Sequence, residues 1–260
     1  MYIVLNRYWR ILGTAFCFSI FGLGGLFLSL FCFPIIYLLP LSKINKKKIN
    51  QALIHYSFRL FIWIMQILGV LDLTIIQGER LKNPKKPLLV IANHPSLIDV
   101  VLLITQMKQA DSIVKEALYH NFFLQGVVKS AQYISNNDPQ KLLADCVQRL
   151  KQGQSIIVFP EGTRTTPNEA FKFQRGVANI ALQAQQNITP VTLICNTRSL
   201  TKGRKWYQVP RKSPIIIKLI VGEEIGITPF LADNSPQSVI NRKLTAFLEQ
   251  YYHQEIKKYE

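Results

Sequence analysis

Between Ile11 and Ser42 the chain runs for 32 residues without a charge, longer than the roughly 20 residues a helix needs to cross a hydrocarbon core. Such a segment belongs to a membrane, and whatever follows must fold beside it. It is too long for the apolar stretch of a secretory signal, and Pro34, Pro40 and Lys43 stand where a small-residue cleavage site would be needed. It is therefore expected to stay in the mature protein. Gly22, Gly24 and Gly25 lie mid-segment and Pro34 near its end, so a tilted span and a bent helical hairpin dipping into one leaflet both fit, with the span preferred. Lys43, Lys46, Lys47 and Lys48 follow the segment and only Arg7 and Arg10 precede it. This bias places the remainder on the cytoplasmic side of an inner membrane. A second apolar stretch, Leu60 to Leu71, is only 12 residues long and suits a core or interfacial helix. Residues 1–70 are thus expected to anchor the chain and 71–260 to form its catalytic domain.

Lysine and arginine outnumber acidic residues 31 to 15 in a chain that is 48% hydrophobic, with a mean hydropathy of +0.14. This composition excludes a disordered tail or a disulfide miniprotein and implies attraction to a polyanion. The basic clusters Lys82, Lys85, Lys86 and Arg198, Lys202, Arg204, Lys205, Arg211, Lys212 flank apolar segments, and the second is mixed with Trp206 and Tyr207. Basic residues beside Trp and Tyr suit an anionic headgroup layer. No nucleic-acid-binding motif is present, so nucleic acid is not an expected partner. Cys17, Cys32, Cys146 and Cys195 are far apart with no His at zinc-ligand spacing, which suggests buried thiols in a reducing compartment and no metal site.

After Gly69 short β-rich segments alternate with helical ones, the pattern of an α/β fold with a mainly parallel sheet flanked by helices. Strands are expected at 73–77, 88–92, 112–115, 131–134, 155–159, 189–194 and 214–221, several of them unbroken Ile/Val/Leu runs suited to burial on both faces. A helix is expected over 139–151, opened by Asp138 and Pro139 and closed by Gly153; another runs from Ser235-Pro236 to about Tyr252.

The 88–92 strand leads into Asn93-His94-Pro95-Ser96-Leu97-Ile98-Asp99. Ser96 and Asp99 have the spacing of a helix cap. With Ser96 as cap, the Asp99 carboxylate could reach back to one ring nitrogen of His94 and leave the other free, a His-Asp general-base pair. Strand 155–159 leads into Pro160-Glu161-Gly162-Thr163-Arg164-Thr165-Thr166. In a parallel sheet both loops emerge at the carboxyl edge, where ligands bind. Arg164 has the planar fork that grips phosphate, and the Gly162 and Thr163 amides can approach an oxyanion closely. Lys115, at the end of the third strand, either adds a cation to that edge or is a surface lysine.

Asn93-His94 with Asp99, and Phe159-Pro160-Glu161-Gly162-Thr163-Arg164, set behind an apolar N-terminus, resemble the glycerolipid acyltransferase family. The likeness extends over about residues 50 to 225. Phe171-Lys172-Phe173-Gln174-Arg175-Gly176 and Ile188-Thr189-Pro190-Val191 are similar to two further family segments, but Asn136 stands where the family's intermediate motif ends in arginine. The resemblance implies a glycerol-3-phosphate acyltransferase-like fold. It also implies that His94 takes a proton from an acceptor hydroxyl attacking an acyl thioester, with Asp99 holding the imidazole. Asn93, Glu161, Gly162, Thr163 and Arg164 would then serve the acceptor's polar head. Acyl-CoA or acyl carrier protein would be co-substrate and a lysophospholipid the acceptor, with no metal or resident cofactor and no covalent enzyme intermediate through Ser96. Asn136 leaves room for another lysophospholipid or a lyso-aminolipid. Two rivals stay open: a thioesterase or esterase using water in the same cleft, although no Gly-x-Ser-x-Gly elbow occurs, and a membrane-binding module in which His94, Asp99 and Arg164 are structural.

Overall fold

The computed structural model describes residues 2–82, 84–165, 171–197 and 199–259; Thr166 of the second motif and Arg198 of the basic cluster lie outside the described residues. The apolar segment is helical up to Leu38: α1 (Tyr2–Phe27) passes through a π-helical turn (Leu28–Cys32) into α2 (Phe33–Leu38). The wider turn comes just before Pro34, whose missing N–H and bulky ring disrupt regular α-helical bonding. The mid-segment glycines do not break the helix. The chain reverses at 39–42, and α3 (Lys43–Ile67) runs back along α1. Phe18 stacks near Phe61, Phe21 near Phe58, and Trp9 Nε1 donates to the Leu68 carbonyl. These pairings run in opposite sequence directions, so α1 and α3 form an antiparallel hairpin. Lys43, Lys46, Lys47 and Lys48 lie in the first turns of α3, and Ser42 accepts the Asn45 amide as its cap.

The remaining elements are β1 (Leu71–Ile76), β2 (Leu89–Ala92), α4 (Asp99–Gln106), β3 (Asp111–Val114), α5 (Gln125–Ala131), β4 (Ile134–Ser135), α6 (Pro139–Lys151), β5 (Ile156–Val158), α7 (Gly176–Ala184), β6 (Ile188–Cys195), β7 (Ile215–Val221), α8 (Thr228–Leu231) and α9 (Gln237–Lys257). The seven strands form one sheet in the order β1-β7-β6-β2-β5-β3-β4. Every pairing is parallel except β6 with β7, so β1 and β7 run against the other five. The 131–134 strand expected from sequence is mostly something else. Ala131 ends α5, Gln132 takes the left-handed conformation that closes it, and only Ile134 and Ser135 join the sheet.

Alternation along the central strands separates two apolar layers. Val90, Ala92 and Ile157 face the hairpin, α4 and α5; Leu89, Ile91, Ile156 and Val158 face α6, α7 and α9. On the hairpin side one cluster joins Cys17, Phe33, Ile54 and Phe61 to the sheet. Two glycines permit the close approach: a Cβ on Gly25 would stand 2.8 Å from the Phe123 carbonyl oxygen, and one on Gly126 would collide with Ser29. At the N-terminal end, Arg10 is buried and donates to the carbonyls of Pro210 and Ser213. The first helix therefore touches the catalytic layer along much of its length.

Under the hairpin, Asp111 is 1% exposed and is gripped by Lys47 Nζ at 2.8 Å and Arg149 Nη1 at 2.8 Å, with Gln51 Nε2 at 2.7 Å. Burial pulls the Lys47 ammonium below its ordinary range, and Asp111 opposes that shift. One of the four lysines behind the apolar segment is thus an internal ion-pair partner.

Candidate active site

β2 and β5 are parallel neighbours, so the turns that leave them meet at the carboxyl edge. The junction is tied by backbone: Thr165 N donates to His94 O at 2.7 Å, and the His94 amide donates to Glu161 Oε1 at 2.9 Å. Thr165 Oγ1 completes this knot by donating to the same Glu161 oxygen at 2.7 Å. Burial pushes the Glu161 carboxyl upward in pKa, with the Thr165 and His94 hydrogen bonds partly offsetting it. Gly162 has φ +66°, a turn conformation that a side chain would strain.

His94 Nδ1 lies 2.8 Å from Asp99 Oδ2, and the carboxylate is fully buried. Asp99 also accepts the Ser96 amide at 2.7 Å and the Ser96 hydroxyl. Three donors therefore fix this carboxylate in one orientation and leave His94 Nε2 as the ring nitrogen available to a substrate. The ring is held from the side by Phe159, with centroids 4.4 Å apart. The expected capping is reversed. Ile98, not Ser96, occupies the N-cap position, and Asp99 is the first residue of α4. Ser96 donates to the carboxylate instead of capping the helix. Its hydroxyl is buried and engaged by the carboxylate.

The other residues singled out from sequence divide into two groups. Gly162, Thr163, Arg164 and Lys115 join His94 in lining a cavity of about 670 Å³, within the usual range of ligand pockets. Arg164 Nη1 also donates to the carbonyls of Leu200 and Thr201, at 3.1 and 3.3 Å. Asn93 and Glu161 do not line it. Asn93 is 1% exposed, donates to Leu193 O and accepts from Leu193 N, both at 2.7 Å. Its side-chain amide continues the β2–β6 ladder one step beyond Ala92. Glu161 supports the His94 loop from behind. Asn136 reaches the cavity wall, and its Oδ1 accepts the Glu116 amide at 3.1 Å.

Gln174 aside, most of the remaining cavity wall is apolar, and the sequence does not mark it out. Val101 and Ile104 of α4, Val127 and Val128 of α5, and the rings of Phe18, Phe21, Phe58 and Phe61 carry it from His94 to the α1–α3 hairpin. The one available signal was spacing: Phe18 with Phe21, and Phe58 with Phe61, are each one helical turn apart and share a face. Among the described residues no group of three or more His, Cys, Asp or Glu side chains could hold a metal ion.

A family model for acyltransferases matches residues 73–194, from β1 through most of β6 and including both turns of the site. Over these residues the chain matches the acyltransferase family. The chain is similar to a 1-acyl-sn-glycerol-3-phosphate acyltransferase of Chlamydomonas reinhardtii, 27% identical over 150 residues, covering 55% of this chain and 45% of the relative. It is also similar to one of Cocos nucifera, 30% identical over 171 residues and covering 63% and 52%. The chain spans about half the length of these curated relatives. The crystal structure of the 1-acyl-sn-glycerophosphate acyltransferase of Thermotoga maritima superposes with a TM-score of 0.73 at 18% identity, covering 100% of this chain and 99% of that one. This likeness is one of fold, and it includes the N-terminal hairpin.

Proposed function

We propose that this chain is a membrane-seated O-acyltransferase. In this reading it transfers a fatty acyl chain from acyl-CoA or acyl carrier protein to a hydroxyl of a lysophospholipid such as 1-acylglycerol-3-phosphate. The observation that carries the reading is the His94–Asp99 pair at 2.8 Å on the wall of a long apolar cavity. His94 Nε2 takes the acceptor hydroxyl proton as its oxygen attacks the thioester carbonyl. The C–S bond then breaks, and the leaving thiolate receives the proton from the imidazolium. Asp99 holds the ring in the required tautomer and stabilises its charged form. The acyl chain occupies the apolar cavity, and Arg164 with the Gly162–Thr163 backbone faces the acceptor's headgroup. This chemistry needs neither a metal nor a resident cofactor.

Membrane seating rests on the hairpin's outer face. Asn6–Leu38 is long and apolar enough to cross a bilayer, yet its inner side is packed on the catalytic layer from Arg10 to Ser29. The outward side exposes Trp9, Leu12, Phe16, Leu23 and Phe27, and α3 adds a stripe of Tyr56, Leu60, Trp63 and Ile67. A surface this apolar calls for lipid. The hairpin therefore lies along one leaflet, with the catalytic domain on the cytoplasmic side of an inner membrane.

Asn136 favours a second acceptor class, because a neutral amide bonded to a backbone N–H cannot grip phosphate as an arginine fork would. Purified protein is given a long-chain acyl thioester and a panel of lysolipids and lyso-aminolipids, alongside His94→Ala, with products identified by mass. A new acylated lipid that disappears in the variant supports transfer, and the acceptor used identifies the class. Free fatty acid as the sole product would instead make the protein a thioesterase.

A further inference from the structure

We propose that segment 199–213, between β6 and β7, is a docking surface for the anionic headgroups of the bilayer, which deepens and rests on the membrane-seated reading above. Arg204, Lys205, Arg211 and Lys212 all stand on its exposed tip. No Asp or Glu occurs from 199 through 222. Trp206 and Tyr207 are 46% and 42% exposed among these cations, side chains that favour the headgroup level of a membrane.

The tip is carried on a built frame. Leu200 and Val209 are buried, and Ser199 Oγ donates to Gln208 O at 3.2 Å, closing the base. Gln208 Oε1 accepts the Lys205 amide at 3.0 Å. Two tethers place this frame. Arg10 of α1 holds the Pro210 and Ser213 carbonyls, one residue beyond the exposed Trp9 at the start of the apolar face. From the catalytic side, Arg164 holds the Leu200 and Thr201 carbonyls, and Leu97 N donates to Leu200 O at 3.0 Å. The segment therefore bridges the lipid-facing helix and the rim of the site.

The other exposed basic cluster lacks this excess of charge. Lys82 pairs with Glu79 and Lys86 with Glu224, each at 2.8 Å. A surface cation is worth attraction only where no local carboxylate already answers it. Anionic lipid is the occupant that matches an unbroken row of cations interleaved with Trp and Tyr beside an apolar helix face.

The test compares full-length protein with two triple variants, R204Q/K205Q/K212Q and K82Q/K85Q/K86Q, which lower the net charge equally. Binding is measured by sedimentation with phosphatidylcholine vesicles and with vesicles of equal parts phosphatidylcholine and phosphatidylglycerol. Wild type is expected to bind the mixed vesicles more tightly. The first triple loses roughly 100-fold of that advantage at low salt, at about fivefold per basic residue, and keeps its affinity for neutral vesicles. The second triple loses far less. In ~1 M salt, where the screening length is about 3 Å, the advantage vanishes. R204Q alone, at about fivefold, serves if a triple variant melts early. Equal wild-type affinity for both vesicles overturns the docking surface and leaves hairpin seating intact. Equal losses in the two triples also overturn it, since net charge alone would then account for the attraction. Failure to bind either vesicle overturns both readings.

Discussion

Replacing Asn93 by alanine tests whether that residue serves the substrate or the sheet. Its carboxamide is buried and makes a donor and an acceptor bond to the Leu193 backbone, both 2.7 Å long. Past Ala92, whose partner in β6 is Val191, β2 has no further residue in the ladder, so Asn93 stands in for the missing peptide. Alanine leaves one buried N–H and one buried C=O unpaired at about 1–3 kcal/mol each, or about 2–6 kcal/mol together. For a domain of this size that lowers the melting temperature by roughly 5–15 °C. Asn93→Asp fares no better, because it keeps the acceptor and presents an oxygen to the Leu193 carbonyl. The assay is thermal unfolding of the detergent-solubilised protein, paired with steady-state kinetics well below the transition. A melting curve unchanged from wild type, with a raised KM for the acceptor, would refute the structural role and make Asn93 a substrate contact.

Three further outcomes follow from the same geometry. Asp99→Asn should lower kcat by about 10²–10⁴ with little change in KM, because the ring loses its orienting carboxylate; near-normal turnover would remove His94 from the role of base. Glu161 has a folded pKa held above its unfolded one by burial, so its contribution to stability is fully present below the unfolded value and is lost as pH rises through the folded one. The stability of Glu161→Gln relative to wild type should therefore rise from pH 4 to pH 7 in urea titrations, and parallel profiles would contradict the assignment. Asp111→Leu strands two partly buried cations, Lys47 and Arg149, whose side chains are 12% and 20% exposed, and should cost about 3 kcal/mol, read as a lower denaturation midpoint; a neutral effect would mean that both cations turn out to solvent.

Much of the α/β layer was legible because its physical signals are local. Each expected strand region contains part of an observed strand, since runs such as Ile156–Val158 and Ile215–Val221 have no other stable use than burial on a sheet. Asp138 caps α6 through the Gln140 and Lys141 amides, and Gly153 takes φ +83° at its exit, as the residue types imply. Errors arose where two uses of the same residues compete. Ala131 and Tyr133 look like a strand by composition, but burial within the preceding helix and its left-handed exit serves them equally well. Ser96 looks like a cap, but the Asp99 carboxylate is already committed to the bend and draws the hydroxyl to itself. The His94–Asp99 pair was legible because the strand-to-helix bend over 93–99 is matched by a second loop at 160–165 and by the family resemblance that the two loops carry together. The cavity was not, because its wall draws on α1, α3, α4, α5 and the β5 turn, and no window of sequence contains that convergence.

Arg10 and Ser213 are 203 residues apart in sequence. At about 5–20 residues per second of synthesis, the first helix exists for roughly 10–40 s before the carbonyls that will receive its arginine have been made. During that interval its packed face is as bare as its lipid face, and water is a poor host for either. With the hairpin seated in lipid as proposed above, the bilayer is the helix's first folding partner, sheltering both faces until the sheet arrives to claim one of them. In that reading assembly runs membrane first, sheet second and clasp last, because the Arg10 clasp closes only on a chain that has already been made through Ser213.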